Sequence, residues 1–405
     1  MSIPLRRFLH RVIFWPISPA VVSVLARPHR RPSVALQDAG FVLVVALDRI
    51  GDTLLLAPFL RELRKNCPKA RLVCVCRPES EPLLFACPHI DEVHVLRGTK
   101  GRRGNPYVRF GRVLRLGLQL RGRYKFDWAF STRWHVDEHY AAMLVFLAGA
   151  AVRVGFRTNA NPMRKMWNPG ISRLLTHACK GREGICHEYQ RSLDLLEEVG
   201  GHISSRQMEL WLLPKDREPA ENILKPDGLT AQPYGVVAPG AGEAKRTWPV
   251  DRFVQVCSHL AAECGVKWVI VGNRDDSSKA RMMKEAATGT FVDTTARLTI
   301  TETAAIIERA RIFLGNDSGP MHLAAALQIP CIIVSCHPSN GDPNGPNSPV
   351  RFGPVGDKHI VLCPSSSRQP CSQTCEATVP HCICEVNEQD VKNAVLATWL
   401  RESSK

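Results

Sequence analysis

The sequence predicts an α/β protein built from two doubly wound, parallel-sheet domains. An unbroken apolar run at residues 41–47 has the length and composition of a strand buried on both faces, and helical periodicity follows it at once. The same order restarts at residues 234–238 after a polar interval. A third stretch, residues 311–334, reads as strand, tight turn, helix and strand. Such alternation favours parallel sheets with helices on both faces.

The first half of the chain supplies the elements of one sheet. A glycine turn at residues 48–52 leads from the first strand into a helix at 53–66, whose apolar residues recur at helical spacing. Residues 97–123 are basic and show little periodicity until residue 113, so we expect a basic loop there. The other expected elements are strands at residues 71–76, 93–96, 128–130 and 152–156 and helices at 140–148 and 187–199.

The second half repeats this rhythm, with helices expected at residues 253–264, 279–287 and 301–309 and a strand at 268–271. The domain scheme is a basic N-terminal segment (1–32), a first α/β domain (33–205), a linker (206–232), a second α/β domain (233–387) and a C-terminal helix (388–405). Sheets of this kind bind ligands at the carboxyl ends of their strands. We therefore expect the two domains to face a cleft.

The net charge is distributed unevenly along the chain. It is +15 overall, but residues 1–205 contain 32 Lys and Arg against 16 Asp and Glu, whereas the remainder is close to neutral. The first domain should therefore face an acidic partner, such as an anionic membrane surface, a phosphorylated acceptor or nucleic acid. The sequence has no regularly spaced stacking aromatics and no recognisable nucleic-acid module, which disfavours nucleic acid.

Residues 1–32 combine two basic clusters with an uncharged run at 12–26. That run is too short to cross a bilayer, and Pro16 and Pro19 interrupt it. Because Trp15 and the flanking arginines suit the headgroup boundary, we expect an interfacial membrane anchor. A cleaved signal peptide and a disordered leader are the alternatives.

The helix inside residues 311–334 opens with a turn suited to a phosphorylated ligand. After Asp317 and Ser318, Gly319 begins a helix whose unpaired N–H groups and positive dipole end point towards a ligand. An ordinary capped turn would use the same small residues, but Asp317, Ser318 and His322 together exceed what capping needs.

A second loop of the second domain, residues 239–249, also suits an anion. Gly240, Ala241 and Gly242 let backbone N–H groups approach the anion, and Lys245 adds a mobile positive charge. The loop lacks Walker A spacing, and a solvated surface loop has a similar composition.

In the first domain, the turn at residues 48–52 contains Arg49 and places Asp52 at the start of a helix. Asp52 is either a helix cap or the general base of a transfer reaction, which must remove a hydroxyl proton. Residues 131–139 are unusually polar after a buried strand. We expect Arg49, Arg133 and His135 to contact an acceptor.

Together these motifs resemble the heptosyltransferase family of GT-B glycosyltransferases, glycosyltransferase family 9, which builds the inner core of lipopolysaccharide. The matching pieces are LDRIGDTLLLAPFLRELRK, VRVGF, HEYQRSLDLL, LWLLP, APGAGEAKRTWPVDRF and FLGNDSGPMHLAAAL. The resemblance implies a GT-B architecture and inverting transfer without a metal or other cofactor. It also implies a sugar-nucleotide donor, such as ADP-heptose, on the second domain and a lipid-linked acidic saccharide acceptor on the first.

The resemblance also assigns roles to residues. Asp52 falls on the family's proposed base, Lys245 on its phosphate-binding lysine and Asp275 or Asp276 near the residue for the ribose hydroxyls. The donor-binding loop corresponds to Asp317, Ser318, Gly319 and His322. An inserted Thr247 turns the usual K-R-W-P into KRTWP, which leaves the donor sugar and the acceptor open. We expect a monomer bound peripherally to the cytoplasmic face of the inner membrane.

Two other functions share these features: a sugar-nucleotide 2-epimerase on the same fold and a non-catalytic, membrane-associated sugar-nucleotide-binding protein. Cysteine usage leaves a further question open. Most of the fifteen cysteines suit small buried side chains in a reducing cytosol. The five near the C-terminus lack C-x2-C pairs, so no metal ligand is assigned, and a metal site or disulfide there stays open. These five are Cys363, Cys371, Cys375, Cys382 and Cys384.

Overall fold

The computed structural model describes residues 33–98 and 106–404 of the 405-residue chain. These residues form two compact units. The first unit contains the described residues up to Gly184 together with Glu188–Gln207, and the second contains Ile185–His187 and the chain from Met208 onward. The expected anchor at residues 1–32 lies outside the described residues.

The first unit is built on a six-stranded sheet in which all neighbouring strands run parallel. Its order, β3-β2-β1-β4-β5-β6, reverses direction between β1 and β4. The strands are β1 (Phe41–Ala46), β2 (Arg71–Cys76), β3 (Glu92–Val95), β4 (Trp128–Ser131), β5 (Val152–Phe156) and β6 (His177–Cys179). The helices are α1 (Ile50–Leu54), α2 (Ala57–Asn66), α3 (Glu81–Phe85), α4 (Pro106–Arg123), α5 (Ala141–Leu147), α6 (Pro162–Trp167) and α7 (Glu188–Glu198).

The second unit repeats this topology with the parallel order β12-β11-β10-β7-β8-β9, which reverses between β7 and β10. Its strands are β7 (Gly235–Ala238), β8 (Trp268–Ile270), β9 (Phe291–Asp293), β10 (Ile312–Asn316), β11 (Cys331–Val334) and β12 (Ile360–Leu362). Its helices are α8 (Pro214–Leu224), α9 (Val250–Cys264), α10 (Ser277–Ala286), α11 (Ile300–Glu308), α12 (Gly319–Ala326), α13 (Pro349–Phe352) and α14 (Glu388–Ser403).

The central strands are buried on both faces, as their unbroken apolar sequences predict. β1 is buried from Val42 to Ala46, and every residue of β10 is buried. In the second unit, Trp248 and Phe253 pack edge to face with ring centroids 5.1 Å apart inside the core. The strand ends that carry the polar loops are therefore anchored in rigid cores.

The predicted fold class is confirmed, but some elements differ from the prediction. Most of the expected basic loop at residues 97–123 is helix α4, because Val113 and Leu120, seven residues apart, bury one stripe of an otherwise basic helix. The single helix expected at 53–66 is divided into α1 and α2, and Pro58 lies in the first turn of α2.

The polar interval expected as a linker, residues 206–232, contains helix α8, which belongs to the second unit. The edge strands β6, β9 and β12 were not predicted, because each has only three residues and such a segment shows no periodicity. Among the helices of the described residues, none combines the length and apolar character needed to cross a bilayer.

Candidate active site

The carboxyl ends of β1 and β4 carry the charged groups of the first unit. Asp48 and Arg49 follow β1, and Asp52 lies in the first turn of α1. Arg133 follows β4; its Nη1 atom donates to Asp48 Oδ1 at 2.5 Å and lies 3.5 Å from Asp52 Oδ2. The strand order reverses between these two strands, and doubly wound sheets bind their ligands at that point.

Asp48 and Asp52 differ in their surroundings. The side chain of Asp48 is 12% exposed, whereas that of Asp52 is 28% exposed. Burial raises the pKa of Asp48 to about 6 against the opposing charge of Arg133, and the carboxylate of Asp52 adds to the rise. Burial opposes the charge of Arg133, but Asp48 and Asp52 raise its pKa above the usual range. Asp52 is therefore an accessible carboxylate beside a fixed cation, which suits a general base.

The loop that carries Arg133 is supported by buried and stacked arginines. Arg164 is 0% exposed and donates to the carbonyls of Arg133 at 3.0 Å and His135 at 2.7 Å. The guanidinium of Arg191 lies 3.7 Å from the ring centroid of Trp134 in the same loop. These contacts hold the backbone of the predicted acceptor residues Arg133 and His135 in place.

A pocket in the first unit is lined by side chains of both charges. Its charged and titratable lining residues are Asp48, Arg49, Asp52, Arg77, Arg133, Asp137, Glu138 and His139. Burial lowers the pKa of His139 to about 3, and the positive charges of Arg109, Arg77, Arg133 and Arg49 add to this effect. The imidazole is thus neutral at physiological pH. The pocket therefore places a neutral imidazole and arginine side chains next to the carboxylates of Asp48 and Asp52.

Asn316, the last residue of β10, connects the loops of the second unit. Its side chain is buried; Nδ2 donates to the carbonyls of Pro239 at 3.0 Å and Gly240 at 3.3 Å. Its Oδ1 atom accepts from the backbone N–H of Trp248 at 3.0 Å. Loop 239–249, which follows β7, is thereby fixed to the end of β10. Asn316 was not among the predicted site residues.

Gly240 packs against the turn that follows β8, where only glycine fits because it has no Cβ atom. A Cβ atom at Gly240 would lie 2.1 Å from Asp276 Oδ1. Asp276 is buried and accepts from the N–H of Asn273 and from Lys279 Nζ, both at 3.1 Å. Asp275, predicted to hold the ribose hydroxyls, is exposed in the same short turn. The carboxylate next to Gly240 is therefore that of Asp276.

Lys245 and Arg246 lie in one short 3-10 helix, Ala244–Arg246, but contact different partners. Lys245 Nζ donates to the backbone carbonyl of Cys375 at 2.9 Å. Arg246 Nη2 lies 2.8 Å from Asp317 Oδ2 and also donates to the backbone carbonyl of Asp317. The sequence analysis did not assign Arg246 to the site. The ion pair with Asp317 places it there.

The predicted donor loop leads into α12. Ser318 occupies the N-cap position, but its Oγ donates to the carbonyl of Asn316 at 3.2 Å and makes no cap hydrogen bond with the helix. Gly319 begins α12, and the buried His322 lies in its first turn. Asp317 is also buried, and its Oδ1 accepts no hydrogen bond from the described part of the chain. The turn therefore presents an acceptor oxygen, a hydroxyl and a helix N-terminus together.

Four contributors were missed by the sequence analysis: Asp48, Arg164, Arg246 and Asn316. Asp48 and Arg246 carried a signal, because each is a charged residue next to a predicted site residue or at a strand end. Arg164 and Asn316 act through carbonyl groups far away in the chain. Such tertiary contacts leave no local pattern in a sequence.

The chain thus contains two doubly wound α/β units, the architecture expected of a GT-B glycosyltransferase. Residues 113–379 match the sequence profile of glycosyltransferase family 9 (heptosyltransferase). The chain belongs to this family, as the motifs in the sequence predicted.

Two curated relatives cover most of the chain. Lipopolysaccharide heptosyltransferase 3 of Escherichia coli is 24% identical over 285 residues, which span 70% of this chain and 79% of the relative. Lipopolysaccharide heptosyltransferase 2 of Escherichia coli K12 is 24% identical over 339 residues, spanning 79% of this chain and 87% of the relative.

Solved structures share the fold. The glycosyl transferase family 9 structure from Veillonella parvula DSM 2008 has a TM-score of 0.74 at 20% identity, covering 91% of this chain and 99% of that one. The Escherichia coli ADP-heptose lipopolysaccharide heptosyltransferase II structure has a TM-score of 0.65 at 19% identity, covering 89% of this chain and 99% of that one.

Proposed function

We propose that this chain is an inverting glycosyltransferase that moves a heptose from ADP-heptose to a lipopolysaccharide core precursor. The observation that carries the proposal is the carboxylate of Asp52, which is partly exposed at the switch point of the first sheet and 3.5 Å from the guanidinium of Arg133. The names of the relatives, two lipopolysaccharide heptosyltransferases, support the choice of sugar and acceptor.

Inverting transfer is a single displacement at the anomeric carbon. The acceptor hydroxyl oxygen forms a bond to this carbon as the bond from the carbon to the diphosphate oxygen breaks. Asp52 takes the hydroxyl proton, which makes the oxygen a better nucleophile. Arg133 holds Asp52 and Asp48 through one guanidinium, so the orientation of the base is set before the acceptor binds.

Negative charge develops on the leaving nucleoside diphosphate as its bond to the sugar breaks. Lys245, Arg246 and the N-terminus of α12 provide fixed positive charge and N–H donors for it. Asp317 orients Arg246 through their ion pair and keeps one carboxylate oxygen for a donor hydroxyl. Because these groups can neutralise the leaving group, we propose that transfer requires no metal ion.

The excess of Lys and Arg over Asp and Glu in residues 1–205 supports an anionic acceptor. An acidic saccharide linked to a lipid carries phosphate or carboxylate groups and lies at an anionic membrane surface. Both features complement the basic residues 1–205. We therefore propose that the protein acts as a monomer bound peripherally to the cytoplasmic face of the inner membrane.

The test is to incubate the full-length protein with ADP-heptose, with and without the core-lipid acceptor, and to measure ADP and the sugar products. A transferase releases ADP only with acceptor, in step with a heptosylated product of inverted anomeric configuration. An epimerase alters the sugar nucleotide without acceptor, and a binding protein releases no ADP. Asp38→Asn, at an exposed carboxylate of the same unit, is the matched control for Asp52→Asn.

A further inference from the structure

Three cysteines and one histidine converge in the second unit. The Sγ atoms of Cys371, Cys375 and Cys382 and a ring nitrogen of His381 all lie within 4.8 Å of one another. The three cysteines are 5%, 2% and 0% exposed, respectively. Cysteine spacing alone gave no indication that a histidine is the fourth member.

The distances within this cluster match a tetrahedral metal site. With metal–sulfur bonds of about 2.3 Å and metal–nitrogen bonds of about 2.0 Å, a sulfur and a nitrogen at two corners of a tetrahedron lie about 3.5 Å apart. His381 Nδ1 lies 3.6 Å from Cys371 Sγ and 3.5 Å from Cys382 Sγ. The ligand atoms are thus already spaced as a single bound ion requires.

Simple packing and a disulfide explain the cluster less well. All three thiols are free, and a disulfide between any two of them would leave the third thiol and the imidazole without a role. The backbone N–H of Glu376 donates to Cys371 Sγ at 3.4 Å, which is the kind of contact that supports a metal-bound thiolate.

The surrounding chain also needs a cross-link. Residues 363–381 contain no helix or strand, yet Cys371 and Cys375 belong to the hydrophobic core of the second unit. An irregular segment of this length seldom holds its position in a compact domain by packing alone. A metal ion bound at four side chains would fix it to the short 3-10 helix Cys382–Glu385.

We propose that Cys371, Cys375, His381 and Cys382 bind one thiophilic divalent transition metal ion, such as Zn²⁺, in a tetrahedral structural site. Three thiolates and one imidazole fill all four positions, so no position is left for a substrate. The ion would stabilise the fold without entering the transfer chemistry, and the site is therefore compatible with a transfer step that needs no metal.

The backbone of Cys375 also contacts Lys245, the lysine proposed to bind the donor diphosphate. This part of the inference rests on the proposed function. The carbonyl of Cys375 accepts the hydrogen bond from Lys245 Nζ at 2.9 Å. Arg252 Nη1 donates to the carbonyl of Cys384, two residues after Cys382, at 2.6 Å. A bound ion would hold Cys375 in place and would thereby position Lys245 for the diphosphate.

The metal content of the full-length protein tests the site directly. The protein is purified under reducing conditions without metal-affinity resin and analysed by mass spectrometry of the elements. We expect about one zinc or similar ion per chain. After replacement by Co²⁺, we expect the visible and near-ultraviolet bands of a tetrahedral cobalt–thiolate centre. Metal far below one per chain together with absent thiolate bands, or a disulfide within the cluster, would overturn the proposal.

Matched variants separate ligands from neighbours. Cys375→Ser and His381→Ala should lower the metal content and the thermal midpoint, whereas His381→Cys should retain the ion through a fourth thiolate. Cys384→Ser, two residues from Cys382 but outside the cluster, is the control and should keep about one ion per chain. Equal metal content in Cys375→Ser and Cys384→Ser would overturn the ligand assignment.

Donor binding tests the link to Lys245. Removing the ion with a chelator should weaken ADP affinity by about tenfold or more, the range seen when supporting contacts of a site are lost. A metal-free protein that binds ADP with unchanged affinity would overturn this link while the metal content still supports the site. The metal content and the ADP affinity are both measured without the transfer reaction, so they test this inference even if the proposed transfer activity is absent.

Discussion

Replacing Arg133 by glutamine should affect stability and activity together, because one guanidinium serves two carboxylates. The variant leaves Asp48, which is 12% exposed, without its partner at 2.5 Å. Breaking a buried ion pair costs about 3–5 kcal/mol. We expect about 2 kcal/mol here, because Arg133 is 29% exposed and Asp48 can take up a proton.

The stability loss in Arg133→Gln should depend on pH because the pKa of Asp48 is raised. Below a pH of about 6, Asp48 is protonated and needs no cation, so the cost of Arg133→Gln should be small. Above that pH the carboxylate of the parent protein is charged and paired with Arg133. In the variant the pKa of Asp48 rises further, because Arg133 lowers it, so the cost should grow as the pH increases above about 6. Denaturant unfolding at pH 5 and pH 8 measures this difference. Turnover should fall by about 10²–10³-fold at pH 8, because Asp52 loses its orienting cation.

A double variant isolates the pair. Asp48→Asn combined with Arg133→Gln removes both charges, so most of the lost stability should return while turnover stays low. The reasoning is refuted if Arg133→Gln is as stable as the parent protein at both pH values. It is also refuted if the double variant is no more stable than Arg133→Gln at pH 8.

Four further predictions follow from the same structure. Lys245→Ala and Asp317→Ala should each weaken donor binding by about tenfold or more in calorimetry, because Lys245 supplies positive charge for the diphosphate and Asp317 orients Arg246 and accepts from a donor hydroxyl. The acidic limb of kcat/KM should lie near pH 6 and should move in Asp48→Asn, since that carboxyl must ionise to hold Arg133. Gly240→Ala should lower the thermal midpoint, because its Cβ would meet Asp276 at 2.1 Å. Deleting residues 1–32 should weaken sedimentation with anionic vesicles, and added salt should weaken it too.

Two of these experiments have a matched control. Lys284→Ala removes an exposed lysine of the same unit and should leave donor affinity unchanged. Loss of affinity in Lys284→Ala equal to that in Lys245→Ala would contradict the site. Neutral vesicles control for the charge effect, and equal binding to both vesicle types would contradict the membrane prediction. If the acidic limb of kcat/KM does not move in Asp48→Asn, the limb belongs to a group other than Asp48.

The fold could be predicted because its information is local. Strands buried on both faces are continuous apolar runs, as in β1 and β10, and the helices between them show their own periodicity. Where the local pattern is weak, the prediction of secondary structure was wrong or incomplete. Helix α4 carries so many arginines that its buried stripe was overlooked, and the three-residue edge strands are too short to show a pattern.

Candidate site residues could be named from the sequence where the chemistry is concentrated in one turn, but not where it depends on tertiary contacts. Asp52, Lys245 and Asp317 lie in turns of glycine and polar residues that indicate ligand binding by themselves. By contrast, Arg164 reaches the carbonyls of Arg133 and His135 from another helix, and no spacing rule connects them. The four-member metal cluster combines C-x3-C with an adjacent His–Cys pair, so only the folded chain brings it together.

Turnover of Asp52→Asn with ADP-heptose and acceptor at saturation tests the central claim most directly, with donor affinity measured on the same sample. If Asp52 takes the acceptor proton, turnover should fall by about 10²–10⁴-fold while donor affinity stays nearly unchanged. The Asp38→Asn control should keep full turnover. Turnover of Asp52→Asn close to that of the parent protein would contradict the account and leave Asp52 as a residue of the first turn of α1 only.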